Sequence, residues 1–73
     1  MASVNHKIKN IMNDTNIPLK ERKKAIHQII TQEKKAGRIT KETAASYHQG
    51  TNALREGVNG TKDLNKALSN GET

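Results

Sequence analysis

A single glycine, Gly37, divides the middle of this chain into two long stretches of helical periodicity. Glycine adopts the left-handed conformation that closes a helix at no steric cost. Lys34 and Lys35 precede it, where positive charge suits the negative end of a helix dipole. Thr40 follows as an N-cap, Glu42 falls in the next first turn, and Ile39 and Ala44 have the spacing of a weak hydrophobic staple. A helix stop and a helix start this close together require the two helices to fold back on each other. The expected fold is all-α, an antiparallel helical hairpin over about 19–36 and 40–59.

Shorter helices flank the hairpin. Val4, Ile8, Ile11 and Met12 recur on one face of an N-terminal helix, which Asn13, Asp14 and Asn16 end. Pro18 then opens the second helix, where its missing N–H is harmless. After Gly60 the pattern weakens to Leu64, Ala67 and Leu68, a weak C-terminal helix that Thr61 caps, with a frayed tail from Ser69. The organisation expected is one small helical domain over 1–60, then a short helix and flexible tail over 61–73.

Helical phase sorts the residues of the hairpin. At about 100° per residue, Leu19, Ile26, Ile29 and Ile30 share one arc of the second helix. Lys20, Lys24, His27, Thr31, Lys34 and Lys35 lie on one flank of it, and Glu21, Gln28 and Gln32 on the far side. The third helix shows two stripes. Ala44, Tyr47, Thr51, Leu54 and Val58 form one; Thr43, Ser46, Gly50, Ala53, Gly57 and Gly60, all small, form the other. A glycine inside a helix costs about 1 kcal/mol relative to alanine, so the small stripe implies close approach of another backbone. A hairpin pivoting near Arg38 sets Ile26 opposite Gly50 and Ile29 opposite Tyr47, so helix two is expected to fill this trough. The lesser expectation is a partner groove at Gly50, Ala53, Gly57 and Gly60, serving a homodimer or another protein's helix.

Charge is concentrated where the hairpin forms. Between Lys20 and Glu42 eight Lys/Arg face three Glu, net +5 of the whole chain's +6. Lys20, Lys23, Lys24, Lys34, Lys35, Arg38 and Lys41 are the candidate binding residues, against nucleic acid or an acidic protein surface. The plainer role of such a face is to keep a small helical protein soluble. Tyr47 is the only aromatic, so stacking of single-stranded bases is a poor fit and duplex DNA a better one. A helix-turn-helix placing helix three on DNA is weakened because Arg55 is that helix's only basic residue after Lys41. Helix two and the turn are the better DNA-contacting elements, through the phosphate backbone.

Chemistry is not expected. Cysteine is absent, and no nucleophile with a placed base, carboxylate pair or phosphate-cradling loop is present. His27 and His48 fall at one level of the hairpin but lack a third ligand, so no metal, cofactor or small-molecule substrate is assigned. Tyr47 is expected in the core with its hydroxyl at the hairpin edge. No apolar run approaches the ~20 residues that span a bilayer, and the core needs helix two's apolar arc, which argues against lying on a membrane. These features together suggest a non-enzymatic, cytoplasmic bacterial or phage accessory protein. Its basic helix face is expected to engage duplex DNA or, alternatively, to clamp an acidic host-protein surface as an adaptor or inhibitor.

Overall fold

Among residues 3–55 and 61–71, which the computed structural model describes, the elements are α1 (Ser3–Met12), α2 (Leu19–Lys35), α3 (Lys41–Asn52) and α4 (Lys62–Gly71). No strand occurs among the described residues. The all-α architecture and the helical hairpin follow the pattern read from the sequence. Val4, Ile8 and Met12 turn the apolar stripe of α1 into the core, and Ile11 packs at its margin. The helix gives way to a turn in which the Asn16 N–H donates to Asp14 Oδ1 at 3.0 Å. Pro18 stands at the N-cap of α2 with φ −55° and ψ 146°.

The α2–α3 turn is built by Gly37. Its φ of +77° carries the chain through the left-handed region. The Gly37 N–H donates to the Lys34 carbonyl at 3.1 Å and the Arg38 N–H to the Glu33 carbonyl at 3.0 Å. These two bonds form a Schellman cap, which satisfies carbonyls the helix itself leaves open. On the far side, Thr40 accepts from the Thr43 N–H at 3.1 Å and starts α3. Lys23 reaches Asn52, and His27 reaches His48, so α2 and α3 run antiparallel in the register that a pivot near Arg38 sets.

The second half of the hairpin is shorter than its periodicity suggests. α3 ends at Asn52 with Ala53 as C-cap, and Leu54 and Arg55 already lie outside it. The Leu54 N–H turns back to the Thr51 carbonyl at 3.1 Å, and Lys23 Nζ donates to the Asn52 carbonyl at 3.1 Å. Both bonds satisfy terminal carbonyls, and the turn swings Leu54 into the core. The remainder of the expected helix, with Gly57, Val58 and Gly60, lies outside the described residues.

The close approach at Gly50 also has a different cause. A Cβ there would lie 2.8 Å from Leu64 Cα, so the backbone pressed against this glycine belongs to α4, not α2. Gly50 and Tyr47 share the buried side of α3, but Gly50 lies on the flank away from His48 and therefore away from α2. Leu64 and Leu68, both fully buried, make α4 a full contributor to the core. Its helix continues through Gly71, past the Ser69 position where the sequence pattern suggests fraying. Tyr47 is buried as expected; its hydroxyl donates to Asn5 Oδ1 at 3.0 Å, while Asn5 Nδ2 donates to the Leu68 carbonyl at 3.2 Å. One polar chain thus ties α3, α1 and α4 together beneath α2.

Candidate nucleic-acid interface

The basic residues divide into those that hold the fold and those that stand free of it. Arg22 and Glu33 fall on the same arc of α2 as Ile26 and Ile30 and are buried with them. Arg22 Nε donates to the Ile17 carbonyl at 2.8 Å and its Nη1 to the Met12 carbonyl at 3.2 Å, closing the end of α1. Their spacing of four and seven residues from Ile26 is the signal that could have placed both in the core. Glu33 is paired twice, with Arg38 and with Lys7 at 3.6 Å. The Arg38 hydrogen bond, and more weakly Lys7, holds the Glu33 carboxyl below the usual carboxylate range although burial opposes this. The same contact raises Arg38 above the usual guanidinium value. Arg38 therefore serves the turn, and Lys23 caps α3.

Five of the seven candidate residues remain. Lys20, Lys24, Lys34 and Lys35 on α2 and Lys41 on α3 are exposed, and none has an ion-pair partner among the described residues. The acids lie elsewhere. Glu33 is buried and paired, Glu42 lines a depression between α3 and α4, and Asp63 lies with Lys66 at that same seam. Glu21 is the exception, an exposed carboxylate of α2 that shares the outward phase of Gln28. Of the small-residue positions, Gly50 is filled by α4, Ala53 is half-buried at the cap, and Gly57 and Gly60 lie outside the described residues.

His27 and His48 meet on the α2–α3 seam beside these lysines. Their Nδ1 atoms are 2.7 Å apart, and the rings stack with centroids 4.9 Å apart. His27 Nε2 lies 3.1 Å from Asn52 Oδ1, which can only accept, so this nitrogen carries a proton. In the neutral pair His27 Nδ1 must then accept from His48 Nδ1–H. Burial first, then His27 and Lys34, hold His48 below the usual histidine range. No cluster of three metal-ligating side chains occurs among the described residues. No described helix is long and apolar enough to cross a membrane.

Comparison with protein-family models, curated proteins and solved structures finds no match to this chain.

Proposed function

We propose that this protein is a non-enzymatic binding protein whose α2–α3 face engages the phosphate backbone of duplex DNA, as a bacterial or phage accessory factor. The observation that carries the reading is the separation of charge on the folded surface. Five exposed lysines share the α2–α3 side, while of the nearby carboxylates Glu33 is buried in ion pairs, Glu42 is turned to the α3–α4 seam, and Glu21 stands exposed among the lysines. Such a face lets lysines replace condensed counterions along a phosphate backbone. Lysine, a compact and strongly hydrated charge, suits contact with phosphates more than bidentate recognition.

The test is duplex binding measured as a function of salt. Substituting Lys20, Lys24, Lys34 and Lys35 by glutamine keeps helix propensity nearly constant. Binding should fall sharply, and the salt slope should decrease by about 0.9 for each phosphate that is no longer neutralised. Substituting Lys62 and Lys66, on α4, should change little. Absence of duplex binding by the unaltered protein at low salt overturns the reading and brings forward an acidic protein surface as the partner.

A further inference from the structure

Helices α1 and α3 each pack on α2 and also meet one another through the Tyr47–Asn5 hydrogen bond. This arrangement makes α2 one apex of the bundle and leaves a full face of it outward. Lys24, Gln28, Thr31 and Lys35 run along that face, all exposed, at intervals of four, three and four residues. On a helix this spacing makes a single straight ridge. Gln28 and Thr31, with Lys24, His27 and Gln32, line a shallow open depression along it.

We propose that α2 is a recognition helix that lies across the major groove of duplex DNA. Lys24 and Lys35 then contact phosphates on opposite walls, and Gln28 and Thr31 face the base edges between them. This inference rests on the duplex-DNA reading above and adds to it a groove and a means of sequence selection. The dimensions agree. The eleven steps from Lys24 to Lys35 rise about 16 Å at about 1.5 Å each, and the major groove is about 12 Å wide, so the terminal lysines overhang both walls. A helix about 10–12 Å across fills that groove.

The chemistry of the middle positions agrees as well. A glutamine amide offers a donor and an acceptor side by side, the complement of N6 and N7 of adenine. The Gln28 amide has no hydrogen-bond partner among the described residues. Thr31 Oγ1 donates to the His27 carbonyl at 3.0 Å, which commits its proton to the helix and leaves its methyl to meet a thymine methyl. Glu21, the exposed carboxylate of α2, lies one turn before Lys24 on the same outward face, at the groove wall and not among the base edges, where it opposes part of the charge of Lys20 and Lys24. Lys20 and Lys34 add charge on the α3-facing side of the ridge, where a backbone would pass.

The inference is tested with a short labelled duplex, either unmodified or carrying glucosylated hydroxymethylcytosine, which fills the major groove and leaves the phosphates intact. Affinity for the glucosylated duplex should be lower by at least about fivefold, and netropsin, which occupies the minor groove, should not compete. Equal affinity for the two duplexes, or displacement by netropsin, overturns the groove assignment while duplex binding itself stands. Loss of binding to the unmodified duplex as well would instead remove the reading beneath it. Selection from a randomised duplex pool tests the base contacts. The unaltered protein should enrich adenine at one position. Gln28→Ala should lose that preference and keep its salt slope, whereas Lys24→Gln should keep the preference and lower the slope by about 0.9. Both substitutions place good helix formers at exposed positions, so the fold is retained. Unchanged selected sequences in Gln28→Ala overturn the role given to that side chain.

Discussion

Helix α3 is held along its two flanks by different means. Towards α2 the contacts are made by long polar side chains: Lys23 reaches the Asn52 carbonyl, and His27 meets His48 and Asn52. Towards α4 the helix has no side chain at Gly50, which lets the Leu64 backbone come close. The polar flank holds its neighbour at the distance of two stacked rings and leaves lysines and histidines at the surface. The small flank brings two backbones together and seals the core with Leu64 and Leu68. Stability is therefore expected to concentrate on the α4 side, and the charged, pH-responsive surface on the α2 side.

Substitutions can break this contrast, beginning with the largest effect. Leu68→Ala empties a fully buried site and should cost about 2–5 kcal/mol in chemical denaturation. A cost near zero would mean that α4 is dispensable to the fold. Gly50→Leu should cost roughly 1–3 kcal/mol, because the added side chain meets backbone that can yield only if α4 moves. Even Gly50→Ala should destabilise, although alanine is the better helix former, and a gain in stability would show that the α3–α4 seam is loose.

The α2 side should respond more mildly. Gly37→Val should cost about 1–2 kcal/mol, entirely through backbone strain, since a Cβ there meets nothing within 4 Å. An unchanged melting temperature in that variant would dissociate the positive φ from stability. The smallest effect should be on pH. His48 binds its proton less readily in the folded chain than in the unfolded one. Its contribution to stability is then complete above the unfolded value of about 6.5 and declines as pH falls below it. Denaturation midpoints should fall on acidification from neutral pH, and His48→Gln should flatten that component. A variant as pH-sensitive as the parent would assign the response to other groups.

The hairpin was legible because its signals are local. Gly37, Thr40 and the lysines before the turn act within a few residues of themselves, and the register of α2 on α3 follows from the turn alone. The stripe containing Gly50 was legible as a packing face, but its occupant was not. Ile26 and Leu64 are both large enough to lie over a glycine, and the choice depends on which flank of α3 each helix approaches. The end of α3 escapes the sequence pattern for a similar reason. Helical periodicity continues to Val58, while Lys23 and the turn at Leu54 end the helix at Asn52. Among the basic residues, counting charge could not separate Arg22 and Arg38, which serve the fold, from lysines that stand clear of it. Phase could have done so for Arg22, which shares the arc of Ile26.

By itself the sequence determined the helices, the left-handed turn at Gly37, the antiparallel hairpin and the gathering of positive charge along it. These depend on backbone conformation and on spacing, which act over one or two helical turns. The tertiary structure alone decided that α4 closes the core over Gly50, that Glu33 binds both Lys7 and Arg38, and that His27 and His48 share a hydrogen bond. Each of these joins side chains or backbones from separate elements. Such contacts are chosen by how whole helices fit together, and no short stretch of the chain carries that information.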